Sequence, residues 1–243
     1  MTRSTDMQAA YTVLQQGAVE LKGRFLWGSN YTFLAEARQG EHVFQAVYKP
    51  TRGERPLWDF PEASLACREA AAYLVSQALG WELVPPTVFR NDAPLGAGSL
   101  QYFIDHDPEY HYFNFSREDR QRLRPAALFD LIVNNADRKG SHILVDEARH
   151  LWLIDQGLCF HVDDKLRTVI WDFVGEAFPP ALTADLAALE QKLQPGAELA
   201  QALAPLLSPE EVQALRARAA RLLRRNRFPQ PPPNRPPYPW PPV

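Results

Sequence analysis

Asn135-Ala136-Asp137-Arg138-Lys139-Gly140-Ser141-His142 and, one hairpin later, Leu153-Ile154-Asp155-Gln156-Gly157 are the stretches on which the fold turns. Between them lie two apolar runs, His142-Ile143-Leu144-Val145 and Leu151-Trp152-Leu153-Ile154, around a polar turn at 146–149. That pattern predicts a tight hairpin. A hairpin holds its flanking segments side by side, so Asp137 and Asp155 leave neighbouring ends. Acidic oxygens at this spacing suit a hard cation that bridges phosphates. Phosphoryl transfer needs such positioned charge more than covalent chemistry: metal on the phosphates, a cation on the transferred group and a carboxylate for the incoming hydroxyl. The competing reading is a structural turn beside a surface hairpin.

Upstream, residues 17–27, 31–37 and 43–48 alternate apolar and polar, with turns at Gly28-Ser29-Asn30 and Gln39-Gly40-Glu41. They predict a three-stranded antiparallel meander whose last strand ends at Lys49-Pro50. Residues 62–79 switch to helical spacing and stop at Gly80. Two further strands are expected at 84–89 and 100–104. Lys49 at its strand end can point into a cleft toward phosphates. Glu69 on the helix is its natural partner, because a carboxylate among alanines needs one. The backbone of Gly28-Ser29-Asn30 can cap phosphate. A helix over 117–133, the hairpin, an irregular stretch to about 180 and closing helices complete the second half. The last helix begins at Ser208-Pro209-Glu210-Glu211, a capping box with proline at its first turn. The expected fold class is α+β: a sheet-rich lobe at 17–104 and a mostly helical lobe at 105–227. They follow an N-terminal extension at 1–16 and precede a tail at 228–243. Clefts between lobes favour ligands.

The order strand-lysine, helix-glutamate, Asp-Arg-Lys loop and Ile-Asp-Gln-Gly resembles the protein-kinase-like superfamily, most closely its phosphatidylinositol 3-/4-kinase-like group. Val47-Tyr48-Lys49-Pro50, Glu69 to Tyr73, Val84 to Thr87, and Ile154 to Phe160 look like the matching segments of type II phosphatidylinositol 4-kinases. The pairing of Asn135 to Gly140 with residues 159–169 also looks like a small bacterial family of this type. The resemblance spans roughly residues 20–225 and implies a two-lobed kinase-like domain that binds ATP with Mg²⁺ or Mn²⁺. It implies Asp137 as the residue that orients or deprotonates the acceptor hydroxyl, and Lys139 on the γ-phosphate. Asp155 would be the metal ligand, and Lys49 with Glu69 the pair behind the α/β-phosphates. Gln101, Phe103 and Ile104 would lie at the adenine hinge. One departure stands out. Kinase loops carry asparagine five residues after the aspartate as a second metal ligand, and here that position is His142. Imidazole suits manganese, iron or zinc better than magnesium. A buried, hydrogen-bonded histidine is the other reading.

Composition narrows the classes. The 243 residues are 46% hydrophobic and 23% charged, with a net charge of -3. That is ordinary for a globular chain and offers no basic field for nucleic acid. No long apolar run predicts a membrane span, and the N-terminus lacks a secretory pattern. Two distant cysteines, Cys67 and Cys159, argue against a disulfide framework or a zinc cluster. A cytoplasmic location is expected, with Cys159 an inert core thiol. Asp163-Asp164-Lys165-Leu166-Arg167 is either a substrate-site segment or a solvated turn, and the arginines of 216–227 are a solvated face. The tail FPQPPPNRPPYPWPPV is either a polyproline strap laid over the domain through Tyr238 and Trp240, or a disordered terminus. Three functions follow. The first is a kinase acting on a protein, lipid or metabolite hydroxyl. The others are a nucleotide-binding pseudokinase and an adenylyl transferase.

Overall fold

Alternation builds the first lobe in this computed structural model, which describes residues 3–25 and 31–243. The Gly28-Ser29-Asn30 turn expected to cap phosphate lies outside them. The strands are β1 (Ala18–Arg24), β2 (Phe33–Gln39), β3 (His42–Pro50), β4 (Thr87–Arg90) and β5 (Gly98–Tyr102). They form one antiparallel sheet in the order β1-β2-β3-β5-β4. Ala35, Ala37, Ala46, Tyr48, Val88 and Leu100 pack its buried face.

A helix absent from the sequence expectations, α1 (Arg3–Gln16), covers that face. Among residues 6–16, Ala10, Val13 and Leu14 are buried, one narrow stripe in a polar stretch. Its end is fixed by Arg90, whose guanidinium donates to Gly17 O at 2.5 Å. Gly17 is required there: a Cβ would lie 2.7 Å from Arg38 O.

Helix α2 (Leu65–Leu79) is alanine-rich and buries Glu69 to Tyr73, Val75 and Leu79. It ends where Gly80 adopts φ 70, and its N–H returns to Ser76 O and Gln77 O. The Glu54 carboxylate caps its start, accepting from Leu65 N at 3.2 Å and Ala66 N at 3.0 Å.

The expected helix at 117–133 is two helices, α3 (Arg117–Gln121) and α4 (Arg124–Val133). Pro125 has no N–H to give Gln121 O, so the ladder breaks and restarts there. Gln121 O takes the Arg124 guanidinium instead, at 3.0 Å. The hairpin forms as β6 (Ile143–Val145) and β7 (Leu151–Leu153). Helices α5 (Pro180–Lys192), α6 (Glu198–Leu203) and α7 (Pro209–Arg225) close the second lobe. The reciprocal bonds of Ser208 and Glu211 cap α7.

The tail lies on the second lobe, though not through its aromatic rings. Tyr238 is 51% and Trp240 90% exposed. Backbone carbonyls and the Arg235 side chain carry the contact: Pro237 O accepts from Thr168 N at 3.0 Å, Pro242 O from Gly140 N at 2.8 Å, and Arg235 donates to Leu166 O and pairs with Asp164. Proline lacks a donor but keeps an acceptor, so a proline-rich strap docks through its oxygens. Among the described residues no helix is long and apolar enough to cross a membrane.

Candidate active site

Lys49, near the end of β3, reaches between the lobes. Its ammonium lies 2.5 Å from Glu69 Oε1 and 3.0 Å from Asp155 Oδ1. The other Glu69 oxygen accepts from Gln156 N at 2.9 Å. One buried carboxylate therefore ties β3, α2 and the segment after β7 together. Burial opposes the Lys49 charge, but Asp155 and Glu69 outweigh it and hold its pKa above the ordinary range.

Asp155 follows β7 with φ 60, a left-handed turn that swings its carboxylate into the cleft. Its side chain is about half exposed there, at 49%. The Lys49 charge, against the opposing effect of burial, keeps its pKa below the ordinary carboxylate range. Its second oxygen faces His142 Nε2 at 3.3 Å. The Lys139 N–H points at His142 Nδ1 at 3.5 Å, which places the ring proton on Nε2. Burial lowers the His142 pKa to about 4, so the ring is neutral at pH 7 and donates to Asp155.

Asp137 sits on a loop braced from below. Its N–H donates to Asn135 Oδ1 at 2.8 Å, and Arg167 Nε donates to Ala136 O at 2.7 Å. Burial raises its pKa to about 6 despite Lys139, whose Nζ is 3.6 Å from Oδ2.

The brace is Arg138, which is fully buried. It pairs with Asp130 at 3.1 Å and donates to Ile154 O at 2.8 Å and Gln156 Oε1 at 2.9 Å. Asp130 also accepts from Thr168 Oγ1 at 3.0 Å. The loop, the hairpin exit and the segment at 168 thus share one buried ionic hub. Sequence reasoning missed it. The available signal was Asp130, a carboxylate among Leu128, Phe129 and Ile132 that had to find a partner.

Two cavities meet at this centre, and Lys49 with Asp155 lines both. One, of about 330 Å³, is walled by Phe25, Val47, Gln101, Phe103, Ile104 and Leu144. The other, of about 320 Å³, carries Asp137, Glu54, Arg55, Glu69 and Gly157. The described residues hold no trio of His, Cys, Asp or Glu able to chelate an ion unaided. The donor set still fits a hard cation shared with phosphates, because such ions take only one or two carboxylates beside the phosphate oxygens. The Asp163–Arg167 turn is tied down: Lys165 pairs with Asp59 at 3.2 Å and Asp164 with Arg235 at 2.6 Å. Cys159 is buried, and burial raises its thiol pKa well above the ordinary value.

No family model matches this sequence. Among solved structures, the Golgi casein kinase with Mn/ADP bound overlays with a TM-score of 0.59 at 15% identity, covering 92% of this chain and 76% of that one. The Helicobacter pylori proinflammatory kinase CtkA overlays at 0.53 with 9% identity, covering 87% and 93%. At such identities the likeness is one of fold. Phosphatidylinositol 4-kinase gamma 4 of Oryza sativa subsp. japonica is 29% identical over 146 residues, 51% of this chain but only 26% of that protein. Protein Rv2133c of Mycobacterium tuberculosis is 40% identical across 95% of this chain and 94% of its own length. The fold is therefore protein-kinase-like, and the chain belongs to the family of Rv2133c.

Proposed function

We propose that this protein is an ATP- and metal-dependent phosphotransferase that moves the γ-phosphate to a hydroxyl acceptor. One observation carries the reading: Lys49, Glu69, Asp155 and Asp137 converge on one interlobe cleft that continues into a second, largely apolar cavity. Gln101, Phe103 and Ile104 would hold the base there. Lys49, fixed by Glu69, would bind the α/β-phosphates. Asp155 would hold Mg²⁺ or Mn²⁺, which supplies charge neutralisation on the phosphate oxygens when bound. His142, the second ligand expected from sequence, presents Nε2–H to Asp155 and would have to give up that proton to coordinate. Asp137 would orient the acceptor hydroxyl and take its proton as the oxygen–phosphorus bond forms. The bond between the γ-phosphorus and the β–γ bridging oxygen breaks, and ADP leaves. Lys139 beside Asp137 would meet charge on the transferred group. A pKa of about 6 for Asp137 suits a base working near neutral pH.

The Mn/ADP complex of the Golgi casein kinase supports nucleotide with a divalent ion in this cleft. The partial likeness to the rice kinase supports descent from a common catalytic core without fixing a phosphoinositide acceptor. Protein serine or threonine, lipid and small metabolite acceptors all have the required hydroxyl. A nucleotide-binding pseudokinase is the second reading, favoured by His142 at the usual asparagine position. The test is product analysis on purified protein with ATP and Mg²⁺, then Mn²⁺, with Asp137→Asn as control. Metal-dependent ADP that disappears in the variant is the expected result. Pyrophosphate in place of ADP would assign adenylyl transfer, and nucleotide binding without any product the pseudokinase.

A further inference from the structure

Gln101 reaches the cavity assigned above to the base, and its hydrogen bonds fix which end of its amide faces that space. The residue lies on β5 directly opposite Val47 of β3 and Thr87 of β4. It is only 5% exposed. Thr87 Oγ1 donates its proton to Pro85 O at 2.8 Å. That oxygen can then only accept, and Gln101 Nε2 donates to it at 2.9 Å. Turning the amide over would set two acceptors against each other, so the nitrogen is committed to Thr87. The Gln101 oxygen has no hydrogen-bond partner among the described residues, yet it is not among their sealed, unsatisfied atoms. It is an oriented acceptor open to the cavity, set among Phe25, Val47, Phe103, Leu144 and Ile154.

We propose that Gln101 is the base-selecting residue of this site: its Oε1 accepts from the exocyclic 6-amino group of adenine and rejects purines with a 6-oxo group. The proposal rests on the nucleotide-binding reading above. An oxo group would face another acceptor, and the Thr87 bond prevents the amide from turning to suit it. A site built around one oriented polar group discriminates against a ligand that leaves it unpaired.

ATP and inosine triphosphate test this, because they share sugar and phosphates and differ at purine C6. Each is titrated calorimetrically into the full chain with Mn²⁺. Wild type is expected to bind ATP about tenfold or more tightly than inosine triphosphate, the worth of one hydrogen bond gained and one repulsion avoided. Gln101→Leu should bring the ratio to within about threefold, chiefly by weakening ATP. Thr87→Val, which frees the amide to rotate, should narrow the ratio while Gln101 stays in place. It carries the test if Gln101→Leu does not fold. Equal affinities in wild type, or an unchanged ratio in these variants, overturns base selection by Gln101. Failure of wild type to bind either nucleotide overturns the nucleotide-binding reading itself, a distinct result.

Discussion

At Asp137 burial outweighs the neighbouring positive charges and works against the ionised form. Its folded pKa, about 6, lies above the ordinary carboxylate value of 3.8. The unfolded chain therefore releases this proton first as pH rises, and the folded state loses stability up to about pH 6. Asp137→Asn should thus raise Tm at pH 7–8, with the gain disappearing below pH 4, in paired thermal melts. The same group as base predicts that kcat/KM falls about tenfold per unit below pH 6 and levels above it. In Asp137→Asn, turnover should drop by about 10²–10⁴-fold while ATP binding persists. Lys49, Asp137 and Asp155 were legible in the sequence because each follows a regular apolar pattern, and Glu69 because a carboxylate among alanines needs a partner. Arg138 was not. It reads as one more charge in a polar loop, and only the packed structure reveals that it is buried against Asp130.

At the scale of elements, two devices hold the loop that carries Asp137. The first is the Arg138–Asp130 pair, with neither side chain exposed. Arg138→Ala would strand the Asp130 carboxylate in the core, and a cost of about 3–5 kcal/mol is expected in denaturant unfolding. Asp130→Ala should be comparably harmful, and the double variant less so than the sum of the two singles. The second device is the tail. Its carbonyls occupy the N–H groups of Gly140 and Thr168, beside Lys139, and Arg235 pairs with Asp164 in the same stretch. Truncation before Pro236 should lower Tm and speed amide hydrogen exchange at Gly140 and Thr168, leaving the α2 amides unchanged. A proline tail announces its conformation in sequence but not where it docks, because the acceptors it uses are backbone atoms common to every residue. The helix break at Pro125 was readable in principle, since proline cannot donate to Gln121 O. The apolar stripe of α4 ran strongly enough to mask it.

Over the whole molecule, the two lobes meet at the Lys49–Glu69–Asp155 cluster, so the cleft depends on both. The sheet lobe was legible because period-two alternation and polar turns specify a meander. Helix α1 was not, because three buried residues across 6–16 make too thin a stripe to separate from a polar terminus. Its packing depends on a sheet face assembled from distant strands. The central claim at this scale is that the cleft holds ATP and a divalent ion together, through Asp155. Calorimetric titration of ATP into wild type and Asp155→Ala, each with and without Mn²⁺, tests it most directly. The account predicts that Mn²⁺ tightens binding to wild type by about tenfold or more, and that this gain disappears in Asp155→Ala. An equal Mn²⁺-dependent gain in both proteins would contradict it.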